Sequence, residues 1–100
     1  MDSPNYDGET ALHRAAKWKD IDVAIVLIEN SADVNSADND GDTPLNEAAG
    51  ENSLDVANIL LENSANLNVT AVSGYYGGLT PLQAAEKEGY PDMVELLKNA

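Results

Sequence analysis

One hundred residues make one domain, with little left over for a second. Five Lys and Arg against eighteen Asp and Glu leave a net charge of −13. That balance argues against DNA, RNA or an anionic membrane as direct ligand, because phosphate recognition draws on clustered cations. With no cysteine and one histidine, His13, disulfide scaffolds, zinc ribbons and thiol catalysis drop out.

The opening residues, Met1 to Asn5, carry neither the basic nor the apolar stretch of a secretory signal, so a cytoplasmic location is expected. Thr10 caps a first short helix, in which Leu12, Ala15 and Ala16 form a small-residue face suited to close packing. Asp20 starts a second helix, and Asn30 with Ser31 ends it. Its run from Val23 to Ile28 is the longest apolar stretch, at six residues far short of a bilayer span. Residues 32–41 are polar and turn-rich, as an extended hairpin connection would be.

The pattern then returns. Thr43 and Pro44 place a hydroxyl cap ahead of a proline at the first helical position, and Thr80 with Pro81 does so again. Ser53 and the Tyr90–Pro91 step start the corresponding second helices; the former buries Leu54, Val56, Ala57, Ile59, Leu60 and Leu61 on one broad face. A shift of 33 residues superposes the first unit on the second with fifteen identities and no gap. Thr43 to Thr80 is 37 residues, so four extra residues precede the third unit.

One period is therefore two short antiparallel helices and an extended turn. Thr10-Ala11-Leu12-His13-Arg14-Ala15, Thr43-Pro44-Leu45-Asn46-Glu47-Ala48 and Thr80-Pro81-Leu82-Gln83-Ala84-Ala85 resemble the Thr-Pro-Leu-His-x-Ala signature of ankyrin repeats. The resemblance implies an all-α solenoid of helix-turn-helix units joined by β-hairpin-like turns. It further implies a single domain, residues 1–100, with repeats at about 5–37, 38–70 and 71–100. Ser31 and Ser64 stand where the family has a left-handed glycine, which demands either a different turn or a strained one. Glu86, Glu95 and Lys98 give the third unit the polar outer face of a terminal cap.

The family's hairpin tips and first helices line a concave binding surface, which on this chain falls at Tyr6, Glu9, Trp18, Asp40, Asp42, Glu51, Tyr75, Tyr76 and Leu79. Trp18, Tyr75 and Tyr76 are the expected anchors, because Trp and Tyr bring large area with one polar end. From Asp20 through Glu86 the chain carries twelve carboxylates, and no Lys or Arg lies between them. Carboxylates around aromatic faces suit a Lys- or Arg-bearing protein or peptide. The expected object is a monomeric, non-catalytic protein-interaction module without cofactor. Alternatives are an acidic mimic occupying a nucleic-acid-binding site on a target protein, or a structural fragment of a longer array.

Two further patterns carry less. Ser36 to Glu47 places Asp38, Asp40, Gly41, Asp42 and Glu47 at calcium-loop positions 3, 5, 6, 7 and 12. Ser36 holds the first position, and Thr43 with Pro44 commits the second half to a helix, so no metal site is expected. His13 has no nucleophile or orienting partner nearby in the sequence and is expected to brace neighbouring turns.

Overall fold

The computed structural model describes residues 9–74 and 76–100. Among the described residues six helices follow in order: α1 (Ala11–Trp18), α2 (Ile21–Glu29), α3 (Pro44–Glu51), α4 (Leu54–Glu62), α5 (Pro81–Glu88) and α6 (Pro91–Lys98). They form three antiparallel pairs. The first helices stack α1 on α3 on α5, and the second helices stack behind them, α2 against α4 and α4 against α6. Ala16, Ala48, Ala49, Ala84 and Ala85 are fully buried, and their small side chains allow the close approach of the inner row. Leu12, Leu45, Leu60 and Met93 fill the space between the layers.

Each first helix opens with the same device. The hydroxyls of Thr10, Thr43 and Thr80 accept the N–H of His13, Asn46 and Gln83, whose side chains in turn accept the threonine N–H. Asp20 caps α2 through the Val23 N–H at 3.2 Å. Ser53, expected to cap α4 likewise, makes no side-chain cap bond. Its hydroxyl donates instead to the carbonyl of Ala16, joining the second pair to the end of α1. Tyr90 precedes α6 without a side-chain cap, as a phenol lacks the short reach that capping needs.

The ends of α1 to α5 keep the geometry of a left-handed residue whatever its identity. After α2 and α4, Ser31 and Ser64 have φ of 68° and 69°. Ala32 N–H reaches back to the Leu27 carbonyl, and Ala65 N–H to that of Leu60, each at 3.0 Å. Lys19, Asn52 and Gly89 take the same conformation after α1, α3 and α5. The turn is thus retained without glycine, and the strain is accepted locally.

Between α4 and α5 the extra residues close on themselves, with Gly78 N–H donating to the Ala71 carbonyl at 2.7 Å. An isolated bridge between Ala71 and Gly77 is the sole strand-like pairing among the described residues.

Candidate interaction surface

The turn before α3 is built around Asp38. Its Oδ1 accepts the N–H groups of Asp40 and Asp42 at 2.9 and 3.0 Å. Its own N–H donates to the Asp42 carbonyl at 2.9 Å, and Gly41 takes φ of 80° to close the loop. Two neighbours lock this turn from outside. His13 Nε2–H donates to the Asp42 carbonyl at 2.7 Å, while Nδ1 accepts from the backbone and hydroxyl of Thr10 at 3.1 and 2.9 Å. From the other side, Val72 and Ser73 N–H groups reach the Asp40 carbonyl at 2.7 and 3.2 Å. Ser73 Oγ–H adds a 2.7 Å bond to Asp40 Oδ1.

The fold gathers carboxylates here from three segments. Asp38, Asp40 and Asp42 have carboxylate oxygens within 4.8 Å of one another, and Glu9 and Glu47 do the same with Asp38. Burial and then the Asp38 and Asp40 charges push the Asp42 carboxyl up to about 6. Burial also leads for Glu47, with Asp42, Glu9 and Asp38 adding to it and Lys17 opposing; its carboxyl rises to about 7. Asp42 and Glu47 therefore keep their protons to higher pH than free carboxyls do.

A second assembly lies one turn further along α3. Tyr76 sets its ring on Gly50, where an added Cβ would stand 2.6 Å from the ring. The Tyr76 hydroxyl donates to Glu88 Oε2 at 2.7 Å, and lies 3.2 Å from the Gly50 carbonyl. Burial, the Glu88 hydrogen bond and nearby carboxylates, Glu51 among them, raise the phenol well above its ordinary value. Tyr76 therefore does not stand free at a protruding tip: it is a half-buried brace linking the extra segment to α3 and α5. Glu51 and Leu79 are half-buried beside it.

Trp18 sits at the end of α1 and is 72% exposed, with Lys17 Nζ 5.8 Å from its ring centre. It borders a shallow depression with Ala11, Arg14, Ala15, Asp20 and Val23, so packing across repeats does not occupy it. Asp40 is exposed, Glu9 half-buried and Asp42 buried. The structure thus brings Glu9, Asp40 and Asp42 together, and separately places Glu51 with Tyr76. Tyr6 and Tyr75 lie outside the described residues. Sequence reasoning did not assign Asp38 and Glu47 to this surface, although the calcium-loop spacing contained both.

A protein-family model described as ankyrin repeats, three copies, matches residues 1–71 and 38–100. The chain belongs to the ankyrin repeat family. Ankyrin repeats are generally protein-interaction modules, so protein partners follow from the family. Among curated proteins none matches the sequence. None of the described helices is long and apolar enough to cross a membrane. On this ankyrin stack the carboxylate cluster marks the hairpin edge, Glu51 ends α3, and Tyr76 packs on α3 from the segment before α5.

Proposed function

We propose that this chain is a non-catalytic ankyrin module that presents its hairpin edge and inner helices to a basic protein or peptide segment. The gathering of Glu9, Asp38, Asp40, Asp42 and Glu47 at one edge carries the reading. A Lys or Arg side chain entering there meets several acceptors already oriented, with charge-assisted hydrogen bonds available. Trp18, with most of its ring open, offers the aromatic face that a guanidinium or ammonium stacks on. Because the turn is fixed by His13, Val72 and Ser73, little conformational entropy is lost on binding.

Capture from a cell lysate on the wild type, a Trp18→Ala variant and an Asp40→Asn/Glu47→Gln variant tests the proposal, with folding checked by circular dichroism. A protein held by the wild type, reduced by both variants and released as salt rises supports it. Loss only on charge neutralisation, with nucleic acid competing for the captured protein, would mean acidic mimicry instead. Retention indifferent to salt and to both variants would overturn the reading.

A further inference from the structure

We propose that Asp38, Asp40 and Asp42, joined across Asp38 by Glu9 and Glu47, form a site for a hard divalent cation of the calcium type. The inference shares the carboxylate cluster with the interaction surface and adds an observation which that reading does not use, the unpartnered oxygen of Asp42. Asp42 is 8% exposed, and its Oδ1 is buried with no hydrogen-bond partner. A carboxylate oxygen removed from water without a donor is costly, and such groups in folded proteins are ordinarily satisfied. Its carboxylate belongs to the set with Asp38 and Asp40, whose oxygens lie within 4.8 Å of one another. Oxygens bound to one calcium ion at about 2.3–2.6 Å can be at most about 5 Å apart, so the spacing is one that a single ion spans.

The donor chemistry narrows the ion. All five groups are carboxylates, which favour calcium, magnesium or manganese over zinc or copper. They come from an irregular loop, a helix and the segment before α1, and calcium tolerates irregular geometry where magnesium demands a near-ideal octahedron. The ligands are also held in place without an ion. Asp38 is fixed by the N–H groups of Asp40 and Asp42, and the Asp40 backbone by Val72 and Ser73. Ser73 engages Asp40 through Oδ1 alone among its carboxylate oxygens. No Lys or Arg occurs from residue 21 to residue 85, and Lys17 on α1 supplies the counter-charge felt at Glu47.

The site is not an EF-hand: Ser36 stands at the first loop position, and the capped start of α3 replaces the second half. That difference is why the loop spacing alone did not indicate a site. Glu9 enters through stacking of the first two repeats, which no linear motif contains.

Calorimetric titration of the full chain with calcium chloride tests the assignment, alongside magnesium chloride and sodium chloride at matched ionic strength. The expected result is one calcium ion per chain, saturable, with a dissociation constant on the order of 10⁻⁴ M. Asp42→Asn and Asp40→Asn should each weaken it at least about tenfold. Glu62→Gln, an exposed carboxylate at the end of α4, should not. Asp42→Asn removes a buried charge and should melt higher without calcium, so lost binding is separable from lost folding. Absence of saturable heat, a thermal response that sodium reproduces, or unchanged affinity in both Asp variants would overturn the site.

Discussion

The ring of Tyr76 rests on the bare Cα of Gly50, where a methyl group would stand 2.6 Å from it. Gly50 lies inside α3, where alanine would ordinarily be favoured by about 1 kcal/mol. Here that gain is offset by unseating Tyr76 and breaking its hydroxyl's hydrogen bond to Glu88, at about 1 kcal/mol. Gly50→Ala should therefore leave the urea midpoint flat or lowered in the wild type. In a Tyr76→Ala background the same change should raise stability by about 1 kcal/mol, a sign reversal measurable in a double-mutant cycle. Additive effects would mean that the two residues are not coupled.

This pair also marks where the sequence stops being informative. The threonine caps, the prolines at Pro44 and Pro81 and the alanine faces are local signals, and each element formed where its signal stood. Tyr76 is different. Its flanking glycines suggest an open tip, and nothing local says that Gly50, 26 residues earlier, leaves room for a phenol. Glu9 likewise reaches Asp38 only once the first two repeats are stacked. Ser53 has the composition of a cap, but a neighbouring carbonyl, Ala16, outcompetes its own helix for the hydroxyl. Long-range packing decided all three.

Ser31 and Ser64 hold left-handed backbones that cost an L-residue roughly 1–2 kcal/mol relative to glycine. Glycine returns part of this through its greater freedom in the unfolded chain, leaving a gain of up to about 1 kcal/mol per site. Ser31→Gly and Ser64→Gly should each raise the melting temperature by several degrees, additively, since they end different helices. Gly89→Ala, at φ of 75°, should lower it by a similar amount. Chemical denaturation of these three variants and of the Ser31→Gly/Ser64→Gly double variant checks the signs and the additivity.

His13 joins α1 to the turn before α3: it closes the Thr10 capping box and donates to the Asp42 carbonyl at 2.7 Å. It is fully buried, so truncation leaves the Thr10 N–H without its partner and the Asp42 carbonyl with the Asp38 N–H as remaining donor, along with a cavity. His13→Ala should cost about 2–4 kcal/mol. Asn46 and Gln83 perform the capping half of this role in the other repeats, and Asn46 also donates to the Val69 carbonyl at 3.1 Å. His13→Asn should accordingly recover part of the loss. Equal destabilisation by the two variants would reduce His13 to its volume.

Without divalent cations, the carboxylate cluster makes stability depend on pH in a defined direction. Asp42 moves from 3.8 to about 6 and Glu47 from 4.5 to about 7, so the folded chain holds protons that the unfolded chain has released. Their contribution is complete below the unfolded values, declines as pH rises from about 4 through 7, and is gone above that. The melting temperature should be several degrees higher at pH 5 than at pH 8. The diffuse charge of −13 favours the same direction, so the slope alone does not assign the groups. Glu47→Gln and Asp42→Asn remove one charge each and should flatten the slope far more than Glu62→Gln does. Three equal slopes would place the pH dependence in the general acidity of the chain and not in this cluster.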